Sequence, residues 1–135
     1  MDPRPDYVLV ADDDPSLLLL HCIWLEGEGY EVRTATDGVR ALATIAAEGM
    51  PGAAILDVEM PRLGGLDVCR FLRMQSAVLP IVVVTALDDA RDEAFAAGAT
   101  DVLPKPSDPD RLLAALARAS RTAASQRRLA LQSVW

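Results

Sequence analysis

Five short apolar runs, separated by longer stretches of helical periodicity, set the rhythm of the chain. The runs are YVLVA (7–11), YEVRTA (30–35), AAILD (53–57), PIVVVTA (80–86) and DVLP (101–104), and their length and β-branched content predict strands. Helix starts fall between and after them. Asp14 before Pro15 reads as an N-cap followed by a proline in the first turn, Asp37 before Gly38 opens a second helix, and Asp108 before Pro109 opens the last. Glycines in EGEGY, EGMPG and AAGAT mark helix ends.

Strands that alternate with helices predict an α/β fold, a doubly wound five-stranded parallel sheet with helices on both faces. Parallel neighbours need crossovers, and those crossovers are right-handed. The final helical pattern continues from about Pro109 to the end of the chain, farther than one sheet can cover. From roughly Arg121 it reads as a frayed end, a dimerising helix or the start of a linker.

Composition narrows the picture. The 135 residues suffice for one core but not comfortably for two, and 51% hydrophobic with 24% charged residues is a globular balance. A net charge of −7 argues against a broad nucleic-acid or anionic-lipid footprint, which needs clustered Lys and Arg. The start, MDPRPD, lacks a secretory signal, and the longest apolar stretch, LLLLHCIWL, is far short of the ~20 residues that span a bilayer. A cytoplasmic protein is expected. Cys22 and Cys69 lie in predicted helices without metal-ligand spacing and are expected to be free thiols.

The acidic residues carry the candidate chemistry. Asp12, Asp13 and Asp14 follow the first strand and Asp57 ends the third. In open α/β sheets the ligand site lies outside the carboxyl ends of the strands, where the winding direction reverses. If strands one and three are adjacent, Asp12, Asp13 and Asp57 share that crevice, while Asp14 is accounted for as a helix cap. Two unit charges about 4 Å apart at an effective dielectric near 20 repel by about 4 kcal/mol, so such a cluster needs a cation or protons. Magnesium suits a site of few carboxylates plus a phosphate. Thr85 at the end of strand four and Lys105 beyond strand five add a hydroxyl and an ammonium to the same rim. Lys105 is the single lysine beside twelve arginines, the 13 cationic residues of the chain. A compact ammonium approaches one oxygen as a point charge, whereas a guanidinium fork suits bidentate contact.

Taken in order, LVADDDPSLL, AAILDVEMPRLGGLDV, PIVVVTAL and GATDVLPKP resemble the receiver domain of bacterial response regulators. The resemblance covers about residues 5–120 and leaves 121–135 as a C-terminal helical extension or linker. It implies a flavodoxin-like strand order, 2-1-3-4-5, and a switch in a two-component phosphorelay. Asp57 would accept a phosphoryl group from a histidine kinase or histidine phosphotransfer protein. Mg²⁺ would be held by Asp12, Asp13, Asp57 and the backbone carbonyl of Glu59. Thr85 and Lys105 would each contact a phosphoryl oxygen, and Glu59 and Leu87 would tune phosphoryl lifetime. The Lys105–Pro106 bond is expected to be cis. Such a domain assists only its own phosphorylation and dephosphorylation. Its downstream effect comes from a partner or from sequence beyond Trp135, without direct nucleic-acid or membrane contact, and a monomer or weak dimer is expected.

Two departures stand out. Val102 occupies a position that is aromatic in most receivers, so no ring is available there to follow Thr85, and the segment 85–98 predicts a short fourth helix. Helix one, PSLLLLHCIWLE, can bury Leu18, Cys22 and Leu25 on one stripe, which leaves Leu17, Leu20 and Trp24 as a face for a kinase or phosphotransfer partner. His21 is expected to be a packed or solvated side chain without a role. Two other readings compete: an aspartate-nucleophile phosphatase with Asp12 as nucleophile, and an interaction module on the same fold that needs no phosphorylation.

Overall fold

The computed structural model describes residues 7–86 and 88–132; the expectation for Leu87, and the parts of the expected segments at 5–6 and 133–135, lie outside the described residues. The chain runs β1 (Val8–Ala11), α1 (Pro15–Gly27), β2 (Val32–Ala35), α2 (Gly38–Glu48), β3 (Ala53–Asp57), α3 (Gly65–Gln75) and β4 (Ile81–Thr85). A 3-10 turn (Asp88–Ala90), α4 (Arg91–Ala96), β5 (Asp101–Pro104) and α5 (Pro109–Gln132) follow. The five strands form one parallel sheet in the order β2-β1-β3-β4-β5.

Strand alternation sorts the core into two layers. Leu9, Ala11, Ala54, Leu56, Ile81, Val83 and Val102 join the cluster under α2, α3 and α4. Their neighbours Val8, Val10, Ala53, Ile55, Val82, Val84 and Leu103 join the cluster under α1 and α5. Each of these strand residues is buried, which explains why the central runs are apolar without alternation.

Three strands are shorter than their sequence patterns: β1 begins one residue later, at Val8, and β2 and β4 are trimmed for local reasons. Tyr30 donates its N–H to Leu25 O at 3.1 Å and so completes the end of α1 instead of opening β2. Pro80 has no N–H to give the ladder and contributes only its carbonyl, to Ala54 N at 3.0 Å. The fourth helix is short as expected, six residues beyond the 3-10 turn. The Arg91 guanidinium ties it to the sheet by donating to Val102 O at 3.2 Å. Helix α5 buries Leu112, Ala115, Leu116, Ala119 and Ala123, and every described residue after Ala123 is exposed.

Helix α1 corrects the expected stripe. Leu18, His21 and Leu25 are buried, while Cys22 is only half-buried. At about 100° per residue, these three centre the inward face on the His21 side of Leu18, so Cys22 turns toward the edge. Leu17 and Trp24 turn inward with it, and Trp24 packs against the α1–α5 core. The apolar face left to solvent is therefore Leu19, Leu20 and Ile23, at 63%, 42% and 56% exposure, rather than Leu17, Leu20 and Trp24.

Candidate functional site

The sheet order makes β1 and β3 neighbours, and their last paired residues are Ala11 and Leu56. The next residue on each strand is an aspartate, Asp12 and Asp57, which sets two carboxylates side by side where the winding reverses. Asp12 is also held from the other side, its N–H donating to Ala35 O of β2 at 3.0 Å. On the next pair of strands Thr85 is in register with Pro104, and the Lys105 N–H donates to Thr85 O at 2.9 Å. The Lys105–Pro106 bond is cis. From that anchor the Lys105 ammonium reaches Asp12 Oδ2 at 2.8 Å and Asp57 Oδ1 at 3.3 Å. Asp12, Asp57 and Thr85 are buried, whereas Asp13 is exposed.

Asp13 completes the group: one carboxylate oxygen from each of Asp12, Asp13 and Asp57 lies within 4.8 Å of the others. Asp14 stands apart as the cap of α1, its carboxylate accepting from Ser16 N at 2.9 Å while its own N–H donates to Asp12 Oδ1 at 2.9 Å. Glu59 lies on the loop between β3 and α3, and its backbone N–H donates to the Asp57 carboxylate. That loop turns tightly, since Gly65 N–H donates to Val58 O at 3.1 Å and a Cβ at Gly65 would overlap the Asp57 carbonyl.

Electrostatics at the site are in conflict without a further cation. Burial, and then the neighbouring Asp12 charge, push Asp57 up to about 6, although the Lys105 ammonium and the Glu59 N–H act against the rise. Burial works to lower Lys105, but its hydrogen bonds and charge pairing with Asp12 and Asp57 outweigh it and hold the ammonium above its usual range. One ammonium cannot balance three carboxylates. The donor set fits a hard divalent ion, since it is all oxygen, close-set and partly open to water through Asp13.

The Asp57 shift has a sign that can be measured. Its folded value, about 6, lies above the ordinary 3.8, so the fold favours the protonated form. The corresponding stability is present below the ordinary value and is lost as pH rises through about 6. Asp57→Asn is therefore expected to stabilise the metal-free protein by about 1–3 kcal/mol near pH 8 and by much less near pH 4, because the gain shrinks as pH falls through about 6 toward 3.8. Urea unfolding at the two pH values in a chelator checks this; equal stability at high pH would contradict it.

His21 is buried, with its ring 5.5 Å from that of Trp24, and among the described residues its Nδ1 has no hydrogen-bond partner. Burial lowers its pKa, with Asp12 opposing and Lys105 assisting. The packed alternative of the sequence reading thus holds. Cys22 and Cys69 are free thiols, and burial pushes Cys69 up to about 11. One feature had no sequence signal: Asp37, read only as the opening of α2, is a buried carboxylate paired with Arg62 at 3.0 Å. No local pattern joins residues so far apart in the chain.

Comparison with known proteins agrees with this geometry. The family model for the response regulator receiver domain matches residues 8–117. The chain is 42% identical over 116 residues to the DNA-binding response regulator MtrA of Mycolicibacterium smegmatis, covering 84% of this chain and 50% of that protein. A CheY-like receiver domain protein from Methanospirillum hungatei superposes with a TM-score of 0.82 at 25% identity, over 90% of this chain and 98% of the other. Vibrio cholerae chemotaxis protein CheY4 does so with 0.76 at 37% identity, over 84% and 97%. The chain spans about half the length of the curated relatives it matches.

Proposed function

The chain belongs to the response regulator receiver domain family, and from that premise we propose that it is a phosphoacceptor switch that takes a phosphoryl group on Asp57. The observation that carries the reading is the Lys105 ammonium seated between Asp12 and Asp57, 2.8 and 3.3 Å away, beside the carboxylate cluster. Asp12, Asp13 and Asp57, with the Glu59 carbonyl, are the groups that would hold Mg²⁺. When bound, the ion supplies positive charge to one oxygen of the transferring group and relieves the repulsion among the carboxylates.

In the transfer, an Asp57 carboxylate oxygen forms the new bond to phosphorus as the donor's P–N bond breaks. The bonding pair remains on the histidine nitrogen of the kinase or phosphotransfer partner. Lys105 meets charge on a second phosphoryl oxygen and Thr85 donates its hydroxyl to a third, so the protein contributes positioning and charge rather than a separate nucleophile. Regulation is the role, with chemistry confined to the domain's own phosphorylation state. We assign residues 5–120 to the receiver and 121–135 to a helical extension or linker, and place the protein in the cytoplasm as a monomer or weak dimer. Among the described residues no helix is long and apolar enough to cross a membrane.

Acetyl phosphate with Mg²⁺ tests the assignment. Stoichiometric acid-stable, base-labile label is expected, and none after chelation of the metal. Absence of label at saturating Mg²⁺ would leave the interaction module that needs no phosphorylation as the better reading.

The corrected face of α1 supports a docking role for the protein donor. Leu19, Leu20 and Ile23 form an apolar strip on the same helix whose N-terminus follows the acidic turn. Leu20→Ser with Ile23→Ser is expected to slow transfer from a phosphorylated histidine phosphotransfer domain about tenfold or more, while labelling by acetyl phosphate stays within twofold. Equal loss with both donors would contradict docking on this face.

A further inference from the structure

The loop that carries Glu59, residues 58–64, is fastened at its far end to α2. Arg62 Nη2 lies 3.0 Å from Asp37 Oδ2, and the Gly38 N–H donates to Leu63 O at 3.0 Å. Asp37 is 1% exposed, and its other oxygen accepts from Arg40 N at 2.7 Å as the α2 cap. The Arg40 guanidinium stands farther off, at 3.7 Å. The residues of this link are hard to replace. Arg62 is the one described non-glycine residue with positive φ, 69°, a conformation that side chains other than Gly, Asn and Asp seldom adopt. A Cβ on Gly38 would overlap the Leu63 carbonyl, so only glycine lets the α2 N-terminus approach the loop this closely.

The link reaches the site along a short chain. Only two residues, Met60 and Pro61, separate Arg62 from Glu59, whose backbone N–H meets the Asp57 carboxylate, and the loop closes on Asp57 again through Gly65. The two fastened loops follow β2 and β3, the strands on either side of β1 and its Asp12–Asp13 turn.

We propose that Asp37, Gly38 and Arg62 form a positioning clamp that holds the Glu59 carbonyl and the Asp57 carboxylate in place for the divalent ion, so that α2 sets metal affinity without touching the metal. The inference rests on the assignment of the carboxylate cluster as the Mg²⁺ site. Its signature is a sign. Arg62→Ala removes a positive charge and Asp37→Asn a negative one, so a simple long-range field effect would tighten Mg²⁺ binding in the first variant and weaken it in the second. A clamp weakens both. Asparagine also retains the cap of α2, which separates loss of the link from loss of the helix start.

Mg²⁺ affinity of the full chain, measured by isothermal titration calorimetry, decides the matter. Arg62→Ala and Asp37→Asn are each expected to raise Kd about three- to tenfold, the double variant no more than the weaker-binding single one, and Arg62→Lys less than Arg62→Ala. Labelling by acetyl phosphate should recover at saturating Mg²⁺. Arg33→Ala, which removes the ion pair with Glu48 at 2.9 Å and so a tie between β2 and α2 that does not reach the 58–64 loop, should leave Kd within twofold. Opposite changes in the two variants, additive changes in the double variant, or affinities all within twofold of the parent would overturn the clamp while leaving the metal site standing. A parent chain that binds no Mg²⁺ would overturn the metal site and the clamp with it.

Discussion

Lys105→Ala is expected to slow labelling by acetyl phosphate roughly a hundredfold at saturating Mg²⁺, in the range seen when one preorganised donor to a developing charge is removed. The Lys105 side chain is 18% exposed and its ammonium contacts both Asp12 and Asp57, so it already occupies the place where charge must be met when a phosphoryl group arrives. Water can enter after truncation, but it is not held in place by a strand end and carries no net charge. Lys105→Arg should not restore the rate to within tenfold, because a planar fork wider than an ammonium must fit between two carboxylates set for a point charge. Initial rates with intact-mass detection check both variants. A rate within threefold of the parent for Lys105→Ala would contradict the assigned contact.

Asp57→Asn is expected to abolish labelling, by about a thousandfold or more, since an amide oxygen is a poor nucleophile for phosphorus. Asp12→Asn and Asp13→Asn should behave differently. Each removes one oxygen from the cluster, so the Mg²⁺ requirement rises while the nucleophile survives. Label that persists in Asp57→Asn and disappears in Asp12→Asn would instead match the phosphatase-like assignment weighed for the DDD turn.

Much of the architecture was legible because burial on both faces leaves unbroken apolar runs, and ILD and IVVVT need no tertiary information to be read as strands. The juxtaposition of Asp12, Asp57, Thr85 and Lys105 was legible too, from the rule that parallel sheets gather ligand sites at their carboxyl edge. The helical phase of α1 was not. In a helix apolar nearly all round, the pattern cannot choose between Cys22 and His21 as the third inward residue, and the choice falls to packing against the sheet and α5. The pair of Asp37 and Arg62 was hidden for another reason: Asp37 had a sufficient local reading as a helix cap, Arg62 carried no local signal, and only the meeting of two loops gives them a joint role.

The claim on which the account turns is that the carboxylate ending β3 is the one that bonds to phosphorus, with the Asp12–Asp13 turn serving the metal. Borohydride reduction of the labelled chain, followed by peptide mass mapping, reads this directly, because the acyl phosphate is converted to homoserine at the modified residue. Homoserine is expected at position 57 alone. Homoserine at position 12 or 13 would contradict it.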